Sequence, residues 1–127
     1  MPRFSLNRVF LIGFLTQKPV VRYVPSGTPV TTFPLGVYRG ILSEDGKEWV
    51  DYFNIVVWKE LALFCGEHLR RGDWVFVEGR LQVRTYEDGS GQKRKTWEIV
   101  ASDVQRFSEK DLTEKGTKEE NKGLELS

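Results

Sequence analysis

The sequence is poor in the side chains that form disulfides and zinc sites. Cys65 is the only cysteine and His68 the only histidine among 127 residues. A single cysteine excludes an internal disulfide and is compatible with a reducing compartment. The two residues cannot complete a zinc site, which takes four ligands when it is structural. Both match the apolar positions of a short predicted helix, so we expect them to be structural.

Long apolar runs, a secretory N-terminus and an excess of one charge are also missing. No run approaches the roughly 20 apolar residues that cross a bilayer, and the first seven residues lack a signal-peptide pattern. We therefore expect a cytoplasmic protein. Lys and Arg number 19 against 18 Asp and Glu, a net charge of +1. Such a balance argues neither for nor against nucleic acid, so only the placement of the basic residues is informative.

The length and the turn pattern predict one small all-β domain. A chain of this size, 39% hydrophobic, holds one modest core. Strand-like segments rich in Val, Ile and aromatic residues alternate with turns that contain Gly and Pro. They cover residues 7–15, 20–24, 30–39, 49–58, 74–84 and 93–104. A short helical pattern over 61–72 falls between the third and fourth main strands, which is the order of a five-stranded OB-fold barrel. We expect this domain over residues 1–107 and a disordered charged tail over 108–127.

The segment 49–58 predicts a central strand with two different faces. Alternation places Phe53, Ile55 and Val57 in the core. Tyr52, Asn54 and Trp58 lie on the opposite face. Flat rings on a sheet near basic residues are typical of surfaces that stack unpaired bases. The alternative is that another element or subunit covers these rings.

The strand over 74–84 changes character along its outer face. Trp74 and Phe76 begin it, and the same parity continues with the polar and basic residues Arg80, Gln82, Arg84 and Tyr86. We interpret the apolar half as a subunit contact, since segment 7–15 is also apolar on both faces. The basic half is interpreted as a groove. The run Lys93, Arg94 and Lys95 opens the neighbouring strand and adds candidate phosphate contacts.

Five local patterns in order resemble the bacterial single-stranded-DNA-binding protein family. They are NRVFLIG at 7–13, VRYVPSGT at 21–28, DYFNIVVWK at 51–59, EHLRRGD at 67–73 and VEGRLQVRTY at 77–86. The resemblance covers about residues 4–107. It implies an OB-fold that assembles as a homotetramer, wraps single-stranded DNA and carries no catalysis.

The resemblance also implies roles for individual residues. Tyr52, Trp58 and Tyr86 match the family's base-stacking positions. Arg22, Arg70, Arg71 and Arg84 match basic positions that family members direct at the DNA backbone. A further stacking aromatic of the family has no clear match: Ile41 lies about where it belongs, and Tyr38, three residues away, is our candidate.

The end of the sequence departs from the family pattern. Family members usually end in clustered aspartates and a small hydrophobic tip with a final Phe, which recruits replication and repair proteins. This sequence ends in GLELS. We therefore expect partner recruitment by such a tip to be absent.

The expected function is sequence-nonspecific binding and protection of single-stranded DNA in replication, recombination and repair, without cofactor or metal. An OB-fold protein that binds RNA, or a primosomal accessory protein without strand wrapping, is the alternative, because stacking reads a base face common to both polymers. An enzyme is not expected. Carboxylates such as Asp51, Glu78 and Glu98 lack a spacing that acid–base chemistry demands.

Overall fold

The computed structural model describes residues 3–108 and 110–112, without the side chains of residues 41 and 42. Most of the predicted disordered tail, and the Ile41 side chain, thus lie outside the described residues. In the described part of the tail, residues 110–112 are helical. Ser108 Oγ accepts a hydrogen bond from the Asp111 backbone N–H at 3.0 Å, and Asp111 Oδ2 accepts one from the Ser108 N–H at 3.0 Å.

Six strands and one helix make up the described fold. In chain order they are β1 Val9–Leu15, β2 Val20–Tyr23, β3 Pro29–Leu42, β4 Glu48–Trp58, α1 Lys59–His68, β5 Trp74–Glu87 and β6 Lys93–Arg106.

Five of the strands close into a barrel. Their order is β1-β5-β6-β4-β3, and β3 returns to pair with β1 through Phe14 and Gly36. β4 and β6 pair in parallel, and β2 pairs antiparallel with β3 beside the barrel. Helix α1 follows β4, the third barrel strand, and precedes β5. This confirms the predicted all-β OB-fold with a helix between barrel strands 3 and 4.

The core lies inside the barrel and under the helix. Ile55 and Val57 of β4 are fully buried and Phe53 is packed against them, as the alternation predicts. Helix α1 contributes Ala62, Cys65 and Leu69.

Burial raises the pKa of the Cys65 thiol to about 12, because a low-dielectric interior disfavours the thiolate. His68 does not share this burial, contrary to expectation. It is exposed and its ring lies 4.8 Å from that of Phe64, because these two residues, four apart, occupy a neighbouring face of the helix.

Strand alternation predicts core positions for Leu81 and Val83 and partial core burial for Trp49. These predictions are wrong, because the β3–β4 and β5–β6 hairpins extend past the barrel. Leu81 and Val83 have inward parity on β5, yet they are 39% and 41% exposed. Trp49 has the parity of Phe53, but it is 49% exposed rather than partly in the core. Alternation identifies the face of a strand correctly, but it cannot tell where the strand leaves the core.

Helix α1 is ten residues long, and none of the described helices is long and apolar enough to cross a membrane.

Candidate nucleic-acid interface

The outer face of β4 displays two aromatic rings to solvent. Tyr52 is 65% exposed and Trp58 is 41% exposed, with exposed Asn54 between them. The intervening positions, Ile55 and Val57, point into the core, so the strand fixes the outward direction of both rings. Directly after Trp58 the chain turns into α1 through Lys59, whose φ of 61° is a left-handed conformation that residues with a Cβ seldom adopt. The backbone next to the Trp58 ring is therefore tightly constrained.

The outer face of β5 and β6 continues this surface. Tyr86 is 42% exposed and is the direct partner of Arg94 across the hairpin. The Arg84 guanidinium lies 5.6 Å from the centroid of the Tyr86 ring, within the range of a cation–π contact. Its Nε also lies 3.3 Å from Oε2 of Glu98, a carboxylate that is almost fully buried.

Strand register joins these two groups into one surface. Val56 of β4 pairs with Val100 of β6, and Val100 pairs with Arg80 of β5, so the three residues share one face of the sheet. Val56 and Val100 are buried between the longer side chains of that face. We call this surface the stacking face. It consists of Tyr52, Asn54, Val56, Trp58, Arg80, Gln82, Arg84, Tyr86, Arg94, Thr96, Glu98 and Val100.

Arg22 extends the stacking face at its β2 side. It pairs with Val30, and Val30 pairs with Trp58, so the exposed Arg22 side chain lies in one cross-strand row with the Trp58 ring. Arg70 and Arg71 are elsewhere, in the loop between α1 and β5. Arg70 Nη1 donates hydrogen bonds to the carbonyl oxygens of Glu67 at 2.9 Å and Leu69 at 3.0 Å. The structure therefore brings Arg22 to the rings, but leaves Arg70 and Arg71 off the stacking face.

The basic run at the start of β6 is divided between two faces. Arg94 lies on the stacking face beside Tyr86, whereas Lys93 and Lys95 point to the opposite face. Arg94 Nε donates to Asp88 Oδ2 at 2.9 Å. Hydrogen bonds to Asp88 lower its pKa to about 2, and the one from Ser90 has the largest effect, followed by the one from Arg94. The hairpin tip is thus held by a carboxylate that stays ionised.

Tyr38 belongs to a separate cluster of rings. Its ring lies 5.2 Å from Phe14 and 6.0 Å from Trp74, and Phe10 lies 6.4 Å from Phe76. We call this cluster the aromatic patch. It consists of Phe10, Ile12, Phe14, Tyr38, Trp74 and Phe76. The two surfaces meet at Gly36, which pairs with Phe14 on one side and Tyr52 on the other.

Two exposed tryptophans were not predicted to take part in a binding surface. Trp97 is 61% exposed on the face of β6 that carries Lys93 and Lys95. Strand alternation could have predicted this shared face, because residues 93, 95 and 97 have the same parity. Trp49 has the Arg39 guanidinium 5.0 Å from its ring centroid. Asp51 holds that guanidinium through Nε and Nη2 at 2.8 to 3.0 Å, an arrangement between distant positions that no local pattern indicates.

The carboxylates considered for acid–base chemistry are each paired with an arginine. Glu78 lies 3.2 Å from Arg8, Asp51 2.8 Å from Arg39 and Glu98 3.3 Å from Arg84. Among the residues the structure describes, no group of three or more His, Cys, Asp and Glu is placed to hold a metal ion.

Comparison with known proteins finds one family. The model of the Single-strand binding protein family matches residues 6–107. The chain is 46% identical over 104 residues to the single-stranded DNA-binding protein of Caldanaerobacter subterraneus subsp. tengcongensis, covering 82% of this chain and 69% of that protein. It is 38% identical over 116 residues to single-stranded DNA-binding protein 2 of Listeria monocytogenes, covering 91% and 72%. It is also 38% identical over 118 residues to single-stranded DNA-binding protein A of Bacillus subtilis, covering 93% and 69%.

Proposed function

Because this chain belongs to the single-strand binding protein family, we propose that it binds single-stranded DNA with little sequence preference. In doing so it protects exposed strands during replication, recombination and repair. The observation that supports this most is the stacking face, where three exposed rings and several arginines share one continuous outer surface of the barrel. The RNA-binding and primosomal alternatives have no observation in their favour.

Base stacking supplies the part of binding that is independent of sequence. Every base has a flat π-face, so Tyr52, Trp58 and Tyr86 accept any of the four bases. Duplex DNA keeps its bases stacked on each other and cannot use these rings. The stacking face therefore selects single strands over duplexes, because only unpaired bases can reach the rings.

Arginines supply the contacts to the phosphate backbone. The candidates on or beside the stacking face are Arg22, Arg80, Arg84 and Arg94. Two of them already contact carboxylates, Arg84 with Glu98 and Arg94 with Asp88. Their positions are thereby fixed before DNA arrives, and a phosphate competes with or joins the carboxylate. Arg70 and Arg71 remain predicted phosphate contacts for a strand that continues past the stacking face.

We further propose that the protein is a homotetramer assembled through the aromatic patch. Phe10 and Ile12 are more than half exposed, and Tyr38 is exposed beside Phe14 and Trp74. A contiguous apolar surface of this kind on a soluble protein usually marks an interface. Symmetric self-association would cover it in every copy. Tyr38 would then serve the interface, or a base that reaches its margin at Gly36.

The proposed site of action is the cytoplasm, at the nucleoid, where chromosomal single strands arise. We propose that any recruitment of replication and repair proteins uses the folded domain, because the sequence lacks the family's acidic tip with a final Phe.

Titration of the protein with oligo(dT), oligo(rU) and a duplex of equal length tests this function. Trp58 lies on the stacking face, so binding of oligo(dT) is expected to quench tryptophan emission. The binding constant for oligo(dT) should decrease as the salt concentration rises. The logarithm of the constant is expected to fall with the logarithm of the salt concentration with a slope of about 0.7 per phosphate neutralised. Equal or tighter binding of the duplex in the same buffer would contradict the proposal. Tighter binding of oligo(rU) would favour RNA as the ligand.

A further inference from the structure

The hairpin formed by β5 and β6 has a second face with both apolar and basic side chains. We call it the reverse face. It consists of Leu81, Val83, Thr85, Glu87, Lys93, Lys95 and Trp97. Val83 is the direct cross-strand partner of Trp97, and Thr85 is the partner of Lys95. Because neighbouring side chains on one face of a strand are about 7 Å apart, the Trp97 ring and the two amines form a single row along β6.

We propose that the reverse face is a second binding site for the same single-stranded DNA. One base stacks on Trp97, and successive phosphates on one side of that base contact Lys95 and Lys93. This inference rests on the proposed function and extends it, because it gives the strand a path around the hairpin instead of along one side only.

The hairpin is accessible from both sides over most of its length. On the β5 side, pairing with β1 ends at Val9 and Gly79, and the Asn7 side chain then bonds the backbone N–H and C=O of Leu81 at 2.8 and 2.6 Å. On the β6 side, β4 pairs only at Ile99 and Val100. In the part of the chain that the structure describes, residues 82–97 therefore form a two-stranded ribbon, and a flexible strand can pass from the stacking face to the reverse face.

The charges of the reverse face favour an anionic ligand. Neither Lys93 nor Lys95 forms an ion pair with any residue that the structure describes, whereas Arg84 and Arg94 on the stacking face are both paired. The acidic residue on this face is Glu87, the cross-strand partner of Lys93. Two amines against one carboxylate leave a positive surface beside the ring.

Single-stranded DNA fits this combination better than a protein surface does. The apolar area is narrow, with one large ring and two aliphatic side chains, and both lysines lie along the same strand as the ring. A ring followed along one strand by two free amines matches a base and the phosphates on one side of it in a single strand. Trp97 itself is 61% exposed and has both a flat surface and open approach.

The test compares Trp97→Ala with wild type on oligo(dT) strands from about 4 to about 16 nucleotides and on poly(dT). On the shortest strands, which the stacking face alone accommodates, the affinities are expected to be equal. Above a threshold length, Trp97→Ala should bind about fivefold or more weakly, the lower limit for one stacked base. Poly(dT) should show fewer nucleotides occluded per protomer. Trp97→Phe keeps a ring and should restore most of the loss.

Two further variants separate this inference from the proposed function. Lys93→Gln with Lys95→Gln should lower the salt slope by about 0.7 for each lysine on long strands and leave it unchanged on short ones. Trp58→Ala, on the stacking face, should weaken binding at every length. If wild type binds no single-stranded DNA, the proposed function fails.

Either of two results would contradict the proposal for the reverse face and leave the proposed function standing. The first is Trp97→Ala matching wild type at all lengths while Trp58→Ala is impaired. The second is a change of sedimentation coefficient in Trp97→Ala without DNA, which would identify the reverse face as a contact between copies of the chain.

Discussion

The guanidinium carbon of Arg84 lies 5.6 Å from the centre of the Tyr86 ring, two residues further along the same face of β5. A nucleotide consists of a flat base and a charged phosphate. The pair therefore offers a stacking surface and a positive charge side by side, and we expect a base stacked on Tyr86 to bring its phosphate within reach of Arg84.

Arg84→Gln tests this pairing. Loss of one phosphate contact is expected to reduce the logarithmic salt slope of oligo(dT) binding by about 0.7. Arg106→Gln removes the same charge at the far end of β6 and should leave the slope unchanged. Titrations at several salt concentrations measure both, and equal slopes for the two variants would contradict the role of Arg84.

Removal of each ring from the stacking face should weaken binding without weakening the fold. Tyr52→Ala, Trp58→Ala and Tyr86→Ala are each expected to cost about 1 to 3 kcal/mol of binding free energy. Their melting temperatures should stay near that of wild type, since the rings are exposed. Phe33→Ala is the contrasting variant: Phe33 is buried in the barrel, so its truncation should cost about 3 to 5 kcal/mol of unfolding free energy. Titration and thermal melting distinguish the two classes.

A charge in the aromatic patch should break the proposed assembly. Ile12→Glu places a carboxylate among rings that would face another copy, where desolvation without a partner is costly. Ile12 is exposed in the single chain, so the fold should tolerate the change. Sedimentation velocity at micromolar concentration is expected to show a smaller species than wild type. Leu63→Glu, on the exposed side of α1, is the control and should not alter the assembly.

Much of this organisation could be predicted from the sequence, because alternation within a strand is local. The faces of Tyr52, Trp58 and Ile55 follow from parity alone. Trp49 and Val83 could not be placed in the same way, since their burial depends on where a hairpin leaves the barrel. That position is set by pairings between distant strands. The proximity of Arg22 to Trp58 could not be predicted either, because it depends on the register of pairing across β2, β3 and β4.

The register between β5 and β6 shifts at Glu78 and Gly79, which forms a β-bulge. This bulge depends on the absence of a side chain at Gly79. A Cβ added there would lie 2.3 Å from the carbonyl oxygen of Val100, a backbone atom that cannot move aside cheaply. Gly79→Ala should therefore lower the unfolding free energy by about 1 to 3 kcal/mol. Gly89→Ala is the matched control, because no atom lies within 4 Å of the added carbon. Urea denaturation compares the two, and equal losses would show that the close contact at Gly79 is not decisive.

The tip of the β5–β6 hairpin should resist mild acid. The pKa of Asp88 is lowered to about 2, mainly by the hydrogen bond from Ser90 and next by the one from Arg94. A lowered pKa means that the carboxylate's contacts are complete above its unfolded value of about 3.9 and are lost as the pH falls through about 2. NMR titration of the Asp88 carboxyl should show a midpoint near pH 2 in wild type. Ser90→Ala should move that midpoint upward, and an unmoved midpoint would contradict the assigned cause.

The buried thiol of Cys65 can report how often helix α1 opens away from the barrel. A thiol-specific reagent must reach the sulfur and reacts with the thiolate. In the native state the Cys65 sulfur is buried and its pKa is raised, so it is neither accessible nor ionised. Cys65 should thus be modified only in molecules whose helix has lifted from the barrel, at a rate set by how often that happens. Labelling with and without oligo(dT) would then measure how strongly a bound strand keeps the barrel closed, with no probe added to the surface that the strand touches.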